Sequence, residues 1–253
     1  MIKSVNDIKE EFKNTPLNNI SKLIEVYTND SRKSVQNIIY NYKNKIIKYE
    51  QELLRIENMK KYEKKAYLEG RKIIAGIDEV GRGPFAGPVV TACVVLPQDF
   101  NVLGINDSKK ISEQKRKELF IKIKENALDI SINMEDYDII DSINILEATK
   151  KSMLKNIEDL KKRPDYLILD AINLDIDIPY ISIPKADENS ISVAAASIIA
   201  KVTRDEYMKE MHQNYPQYKF NINKGYGTKE HIEAIKMYGP CPIHRKTFIK
   251  KYI

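Results

Sequence analysis

The sequence predicts an α/β fold, in which helices flank a mixed sheet, with an all-helical extension at the N-terminus. Two observations support this prediction. From residue 71 onwards, short apolar and β-rich runs alternate with amphipathic helical segments, as they do in sheets that carry helices on their faces. Residues 1–70 show helical periodicity alone. We therefore expect two domains, a helical extension over residues 1–70 and an α/β domain over residues 71–253.

The extension is predicted to contain two short helices and one long helix. Ser4 is typical of a helix start, and Pro16 ends or interrupts the first helix. Asp30 or Ser31 is the expected N-cap of the long helix, and Gly70 is the expected stop of the helical region. A bundle that packs on itself is favoured over a coiled-coil dimer, because only about three heptads are present. The predicted buried stripe comprises Val35, Ile39, Tyr42, Ile46, Tyr49, Leu53 and Ile56.

The α/β domain is predicted to hold five strands and at least three long helices. The predicted strands are residues 73–79, 89–96, 129–134, 166–170 and 180–183. The predicted helices are residues 112–126, the amphipathic segment 143–160 and the Ala-rich segment 190–211. Asn189 is the expected N-cap of the Ala-rich helix.

Composition places few limits on function. The net charge is +6, of which residues 1–70 carry +4, and this permits phosphate binding without demanding it. No apolar run is long enough for a membrane span, and the first residues lack the apolar core of a signal peptide. Cys93 and Cys241 share no metal-ligand spacing, and Cys93 lies in an apolar run. We expect two reduced thiols in a cytoplasmic protein.

Four acidic residues follow apolar or β-rich segments, namely Asp78, Glu79, Asp170 and Asp187. Ligand sites of α/β sheets gather at such strand ends. Carboxylates brought together raise one another's pKa, and a divalent cation removes that penalty. Taken singly, each Asp is also explained as a turn former or helix cap. The pair Asp78-Glu79 is the most informative, because it ends an apolar strand beside Gly81-Arg82-Gly83.

The loop Gly81-Arg82-Gly83-Pro84 can bring backbone groups close to a sugar-phosphate, although a plain tight turn explains the glycines equally well. A dinucleotide-binding or P-loop interpretation is weak. The glycine spacing differs from both motifs, and a strand follows where those motifs require a helix.

Six segments of the chain, in order, resemble motifs of the ribonuclease HII family. They are AGIDEVGRGP (75–84), NDSKK (106–110), LD (169–170), SIIAKVTRD (197–205), KGYGT (224–228) and HRKTF (244–248). The resemblance implies a ribonuclease H-like fold and Mg²⁺- or Mn²⁺-dependent hydrolysis of RNA paired with DNA. It also implies nicking on the 5′ side of single ribonucleotides embedded in duplex DNA, which leaves 3′-hydroxyl and 5′-phosphate ends. Some bacterial members carry a comparable helical extension.

The resemblance also implies roles for particular residues. The metal-binding and catalytic acids correspond to Asp78, Glu79, Asp170 and Asp187. The loop that senses the ribose 2′-hydroxyl corresponds to Gly81, Arg82 and Gly83. Tyr226 corresponds to the tyrosine that packs on the sugar of the next deoxynucleotide, and Lys109 and Lys201 fall in motifs expected to approach phosphate.

The chain departs from the family pattern at two positions. Asn223 stands where a His is usual, which puts the support of the Tyr226 loop in doubt. Ala186 stands where Gly is common, and Ala disfavours a positive φ.

Surface roles compete with the functional ones for several side chains. Lys109, Lys201 and Arg204 are equally explained as solvated charges. The three histidines, His212, His231 and His244, form no obvious triad, so we expect surface or capping roles for them.

The nuclease interpretation and two alternative classes stay open at this point. Other enzymes that have the same fold and similar acids resolve DNA junctions or transfer DNA strands. A non-catalytic nucleic-acid-binding protein is the third class, and it predicts no cleavage. The basic extension is expected to strengthen substrate binding, with docking of a partner protein as its rival. Nothing in the sequence demands more than a monomer.

Overall fold

The computed structural model describes residues 3–253, and the chain divides into two compact units between Glu57 and Asn58. The expected domain boundary after residue 70 lies further along the chain. None of the helices described in residues 3–253 is both long and apolar enough to span a bilayer.

The first unit is built from three helices: α1 (Val5–Asn14), α2 (Ile20–Tyr27) and α3 (Lys33–Met59), whose last residues extend beyond the unit. Ser4 caps α1 as predicted, because its Oγ accepts from the Asp7 N–H while the Asp7 carboxylate accepts from the Ser4 N–H, each at 3.2 Å. Pro16 separates α1 from a short 3-10 turn that leads into α2.

The core of the first unit lies at the N-terminal half of α3. It consists of Ile8, Phe12, Ile20, Ile24, Val35 and Ile39. The predicted buried stripe of α3 is wrong in part, because Tyr49 and Leu53 are each 41% exposed. The core cluster includes α3 side chains only as far as Ile46, so the later turns of the helix lie outside it.

The second unit contains a five-stranded mixed sheet in the order β3-β2-β1-β4-β5. The strands are β1 (Ile74–Val80), β2 (Val89–Val95), β3 (Asp129–Glu135), β4 (Tyr166–Asp170) and β5 (Tyr180–Ile183). β2 runs antiparallel to both β1 and β3, whereas β1, β4 and β5 run parallel. This mixed sheet agrees with the predicted fold class.

The helices of the second unit, in chain order, are α4 (Lys61–Leu68), α5 (Glu113–Asn126), α6 (Tyr137–Ile143), α7 (Ile145–Asp159), α8 (Ala186–Asn189), α9 (Ile191–Asn214), α10 (Phe220–Asn223), α11 (Lys229–Tyr238) and α12 (Lys246–Ile249). The single helix predicted over residues 143–160 is wrong at its start, because Asn144 has φ +70° and separates α6 from α7. Ser190, not Asn189, caps α9, because Ser190 Oγ accepts from the Val193 N–H.

Helices cover both faces of the sheet. On one face, α7 packs on β1, β2 and β4 through a cluster that includes Met153, Ile157 and Leu167. On the other face, α9 lies against β1. A Cβ at Gly76 would lie 2.3 Å from the Ser192 carbonyl carbon, so only glycine allows this approach.

Helix α4 is joined to the start of α9 by a buried carboxylate. Glu63 Oε1 accepts from Ser190 Oγ (2.5 Å), Ser192 Oγ (2.7 Å) and the Ser192 N–H (3.1 Å). The carboxylate therefore accepts a hydrogen bond from an N–H group in the first turn of α9 that has no partner within the helix. Its negative charge also interacts favourably with the positive end of the helix dipole.

Candidate active site

Three parallel strands end at the same edge of the sheet and bring the predicted acids together. The register pairs Ile77 with Leu169, so Asp78 and Asp170 follow at neighbouring positions of β1 and β4. After β5 the chain turns through Lys185 into α8, which carries Asp187. We call the four carboxylates at this edge, those of Asp78, Glu79, Asp170 and Asp187, the acid edge.

Hydrogen bonds hold the acid edge to the surrounding elements. Asp78 Oδ1 accepts from the Glu79 N–H at 2.8 Å, and the Ser197 side chain on α9 acts to lower the pKa of the Asp78 carboxyl. Asp170 Oδ1 accepts from the Ala186 N–H at 3.0 Å. The positive φ of this turn falls on Lys185 (57°), so the alanine at position 186 adopts ordinary helical geometry without strain.

The carboxylates of the acid edge act on one another electrostatically. Burial raises the pKa of Asp78 well above its ordinary value, and Glu79 and Asp170 add to the rise. Burial also raises the pKa of Glu79, against the opposing effect of Arg82. Burial, with the nearby Asp107 and Asp170, raises the pKa of Asp187 to about 6. The acids therefore lie within electrostatic reach of one another, and their charges are poorly compensated.

The acid edge fits a hard divalent cation in its chemistry. Its donors are all carboxylate oxygens, which Mg²⁺ and similar ions prefer, and Glu79 Oε2 is buried without a hydrogen-bond partner. Across residues 3–253, no three His, Cys, Asp or Glu side chains stand in an arrangement ready to hold a metal ion. The four carboxylates thus lie at one edge of the sheet, but their oxygen atoms do not have the arrangement of a metal-binding site.

Beside the acid edge, residues 81–87 form a loop that two buried arginines hold by its carbonyl groups. We call it the glycine loop. Arg245 donates to the carbonyl oxygens of Gly81 (2.6 Å), Arg82 (3.0 Å) and Gly87 (2.7 and 2.9 Å). Arg204 donates to those of Ala86, Pro88 and Lys224 at 2.9 to 3.0 Å.

The two arginines are cations in an unusual setting, since both are fully buried. Burial lowers the pKa of Arg204 to about 10 and that of Arg245 to about 9, and the proximity of Arg204 contributes to the second fall. Carbonyl dipoles compensate their charges, which fixes the backbone of the glycine loop.

Gly81 and Gly83 differ in what requires them. Gly81 has φ +96°, and a Cβ there would lie 2.3 Å from Arg204 Nε, so the fold itself demands glycine. At Gly83 a Cβ would meet only the ring of Tyr226, 3.7 Å from Cε1. The fold tolerates a side chain at position 83, so the open space there is available to a ligand.

The Tyr226 loop is supported despite the departure at position 223. Asn223 Oδ1 accepts from the Gly225 N–H at 2.8 Å, and its Nδ2 donates to the Tyr218 carbonyl at 2.6 Å. The side chain of Tyr226 is 45% exposed beside Gly83. A partly exposed aromatic ring thus lies beside the glycine loop, where it can stack on a nucleotide.

The family model for Ribonuclease HII matches residues 75–251, and the model for the Ribonuclease HII N-terminal domain matches residues 4–67. The chain belongs to the ribonuclease HII family. It is 48% identical over 252 residues to ribonuclease HII of Clostridioides difficile (strain 630), covering 99% of both chains. It is 55% identical over 220 residues to that of Acetivibrio thermocellus (strain ATCC 27405), covering 87% of this chain and 86% of the relative.

Solved structures agree with this assignment. Ribonuclease H2 from Pyrococcus horikoshii OT3 superposes with a TM-score of 0.63 and 27% identity, covering 72% of this chain and 97% of that one. The ribonuclease HII of a PCNA complex from Archaeoglobus fulgidus gives a TM-score of 0.60 and 26% identity, covering 69% and 94%. The predicted ribonuclease H-like fold is confirmed, and the chain is a hydrolytic endoribonuclease of the ribonuclease H type.

The basic residues of this ribonuclease HII differ in their availability to substrate. Lys109 is exposed. Partial burial lowers the pKa of its ammonium, but Asp107, Asp187 and Asp78 outweigh that effect and raise it. Lys201 is only 16% exposed at its side chain and pairs with Asp205 at 2.6 Å. The interpretation of Arg204 as a solvated charge is wrong, since it is buried against backbone carbonyls.

The histidine expectation is wrong for two of the three residues. His231 and His244 are buried and hydrogen-bonded to each other, with 2.9 Å between their Nε2 atoms. Sequence reasoning also missed Arg245, although the resemblance block 244–248 contains both His244 and Arg245. That block was the available signal, but it did not indicate that these polar side chains are buried.

Proposed function

We propose that this ribonuclease HII binds Mg²⁺ or Mn²⁺ at the acid edge and cleaves the RNA strand of RNA/DNA hybrids. It also nicks on the 5′ side of single ribonucleotides embedded in duplex DNA, which leaves 3′-hydroxyl and 5′-phosphate ends. The observation that carries the proposal is the placement of Asp78 and Asp170 at neighbouring strand ends, beside Glu79 and the helix that carries Asp187. Such a cluster is costly without a cation. We further propose that the enzyme acts as a monomer in the cytoplasm.

In this proposal Asp78, Glu79, Asp170 and Asp187 hold the cations. Bound divalent ions at such a site activate water and stabilise the leaving oxygen of a phosphodiester. The solved ribonuclease HIII from Bst, which shares the fold at a TM-score of 0.55, is a complex with Mn²⁺. The preference between Mn²⁺ and Mg²⁺ in this chain is part of the test.

The protein's own side chains place the substrate around that centre. Arg82 Nη1 lies 3.4 Å from Glu79 Oε1 and remains 43% exposed at its side chain, so it can contact a phosphate beside the acids. Lys109 is exposed near the same carboxylates and adds a second cation for the backbone. Lys201 has a smaller role, because its ammonium is already paired with Asp205.

Selection of ribose over deoxyribose is assigned to Gly81, Arg82 and Gly83 in the glycine loop. The 2′-hydroxyl both donates and accepts hydrogen bonds, and backbone groups fixed in advance lose those bonds when it is missing. A site of this kind discriminates by ~10⁴ or more. The space beside Gly83 is bounded by the Tyr226 ring, which we assign to the sugar of the following deoxynucleotide.

The N-terminal unit is proposed to bind the phosphate backbone of the duplex. A cleft between α1 and α3 is lined by Lys9, Lys13, Ile38, Asn41, Tyr42, Asn44, Lys45 and Lys48, with no carboxylate among these residues. Lys13 also pairs with Glu10 at 3.6 Å. The excess of positive charge in this cleft favours a polyanion over the docking of a neutral protein surface.

Cleavage of three matched duplexes tests the proposed function. They contain one ribonucleotide, a long RNA/DNA hybrid, or DNA alone, each incubated with Mg²⁺ and with Mn²⁺ while the position of the break is mapped. We expect cuts in the first two duplexes and none in the third. Equal cutting of the all-DNA duplex would refute the role of the glycine loop and favour a DNA-junction or strand-transfer activity.

A further inference from the structure

Two histidines lie stacked among aromatic rings behind the Tyr226 loop. His231 comes from α11 and His244 from the segment before α12. Their exposure is 0% and 2%, respectively. The rings of Tyr218 and Phe220 contact both histidines, with Phe220 edge-on to His231 at a centroid distance of 5.4 Å. Imidazole groups in such an apolar setting are expected to be neutral.

The shortest contacts of the pair assign one direction to its hydrogen bonds. His231 Nδ1 lies 2.9 Å from the Tyr226 carbonyl oxygen, which can only accept, so Nδ1 carries a hydrogen. The Cys241 N–H donates to His244 Nδ1 at 2.9 Å, a shorter contact than the 3.2 Å between that nitrogen and the Cys241 carbonyl oxygen, so we assign no hydrogen to Nδ1. The neutral His244 ring therefore has its hydrogen on Nε2 and donates it to His231 Nε2 at 2.9 Å.

Every bond in this chain, from the Cys241 N–H through both rings to the Tyr226 carbonyl, then has one donor and one acceptor. A proton added to His244 Nδ1 would face the Cys241 N–H, and one added to His231 Nε2 would face the His244 N–H. Burial lowers the pKa of both histidines, that of His244 to about 4. Geometry and electrostatics thus agree on a neutral pair.

Few charged groups surround the pair. The Cys241 Sγ lies 3.1 Å from His244 Nδ1, and the Tyr218 hydroxyl is turned to the Gly239 carbonyl at 2.6 Å. The guanidinium of Arg245 is turned towards the glycine loop. In the described part of the chain, residues 3–253, no carboxylate forms an ion pair with either histidine.

This series of hydrogen bonds ends at the carbonyl group of Tyr226, the tyrosine opposite Gly83. The adjacent backbone is already constrained, since a Cβ at Gly225 would lie 2.4 Å from the Ala86 oxygen and one at Gly227 would lie 2.2 Å from the Phe85 ring. The Thr228 N–H also donates to the Tyr226 carbonyl at 2.8 Å. Among the contacts described above, His231 Nδ1 supplies the one hydrogen bond from a side chain to the Tyr226 carbonyl oxygen.

We infer that His231 and His244 are positioning residues, which as a neutral hydrogen-bonded pair fix the Tyr226 backbone and hold its ring at the substrate gap. The inference rests on the proposed function, because the role of Tyr226 is assigned there. It adds a requirement for a particular tautomer of each ring: Nδ1–H on His231 and Nε2–H on His244.

Two substitutions at one position separate this role from simple packing. In His231→Asn, the amide nitrogen takes the place of Nδ1 and can still donate to the Tyr226 carbonyl. In His231→Leu, that bond is lost at similar volume, and both variants lose the bond to His244. We expect KM for the one-ribonucleotide duplex to rise about tenfold in His231→Leu and less than about threefold in His231→Asn, with kcat within about twofold of wild type. Equal effects in the two variants would overturn the inference.

A double-mutant cycle with Tyr226→Ala supplies the decisive comparison. If His231 acts through Tyr226, His231→Leu adds no further rise in KM once the ring is absent. Independent, additive effects would overturn the inference, as would a Tyr226→Ala variant with unchanged KM. Melting curves of all variants confirm that each one is folded.

A measurement without substrate keeps this inference separate from the proposed function. Long-range ¹H–¹⁵N spectra of the histidine rings at neutral pH report which nitrogen carries the hydrogen. We expect Nδ1–H on His231 and Nε2–H on His244, with both rings neutral. A charged ring, or the opposite tautomers, would overturn the inference even in an enzyme that nicks as proposed.

Discussion

The acid edge and the glycine loop lie side by side, yet the protein holds them by opposite means. At the acid edge, buried carboxylates repel one another, and Glu79 Oε2 has no partner. In the glycine loop, two buried arginines donate hydrogen bonds to backbone carbonyl groups, and the carbonyl dipoles compensate the charges of the arginines. The comparison indicates that the fold alone fixes the backbone of the glycine loop, whereas it leaves the charges of the acid edge poorly compensated, as expected for the cation site proposed there.

Removing one acid should produce the largest effect on activity. We predict that Asp170→Asn lowers metal-dependent nicking by about a thousandfold or more, because one oxygen ligand is replaced by a neutral amide. The metal-free protein should remain as stable as wild type or become more stable, since a repelling charge has been removed. Nicking rates and urea unfolding measure the two effects. Normal turnover by the folded variant would contradict the metal assignment.

The two glycines should separate folding from substrate recognition within the loop. Gly81→Ala is expected to destabilise the protein by about 1–3 kcal/mol, because its φ is positive and its methyl group would meet Arg204. Gly83→Ala should leave stability within about 0.5 kcal/mol and raise KM for the one-ribonucleotide duplex, because the methyl group narrows the gap to Tyr226. Thermal unfolding and kinetics of both variants test the distinction, and a reversed pattern would disprove it.

Stabilisation by a divalent cation should grow with pH at the acid edge. The pKa of Asp187 is about 6 in the folded protein, above its unfolded value, so without metal its stabilising contribution is lost as the pH rises through about 6. The cation binds the ionised form, so excess Mg²⁺ should raise the melting temperature more at about pH 8 than at about pH 5. Asp187→Asn should flatten this difference.

The histidine pair has the opposite pH dependence, since its depressed pKa values remove stability as pH falls from about 6.5 towards 4. It acts equally with and without metal, so it cancels in the measured difference. A metal-induced shift that is independent of pH in wild type would count against the acid edge as the binding site.

The smallest effect is expected in the N-terminal unit. Replacing Lys9, Lys45 and Lys48 by Gln should raise KM several-fold and lower the salt slope by about 2–3, because up to three phosphate contacts are lost. Replacement of Lys22, Lys33 and Lys43, which do not line the cleft, is the matched control with the same change in charge. Equal effects of the two triple variants would show that only net charge matters.

A deletion test of the same unit should end at residue 57 and not at residue 70. Helix α4 lies between those limits, and its Glu63 makes three hydrogen bonds at the start of α9. Removal of α4 would mix loss of substrate binding with loss of stability in the second unit.

The parts of the site that sequence reasoning predicted follow local rules. Strand ends are marked by polar residues after apolar runs, so the acids of β1 and β4 could be placed at one edge before the fold was known. The existence of all five strands was also predicted, with bounds that differ by one residue at most. These features depend on neighbours in the sequence and on the parallel arrangement of strands.

The parts that sequence reasoning missed depend on partners distant in the chain. Arg204 was interpreted as a possible surface charge because cations are rarely buried, and Arg245 was given no role. Most of the carbonyls that these two arginines bind lie more than 100 residues away in the chain. The pairing of His231 with His244 leaves no periodic signal. The break at Asn144 was hidden inside an otherwise continuous amphipathic pattern.

Gly76 has a consequence for how far this enzyme can vary. It lies two residues before Asp78, and it allows α9 to touch β1 through backbone alone. The same helix carries Ser197, whose side chain acts to lower the pKa of Asp78. Any larger residue at position 76 would push α9 away from β1 and move Ser197 with it, so the electrostatic setting of one acid at the proposed metal site depends on a backbone contact two residues earlier in the strand.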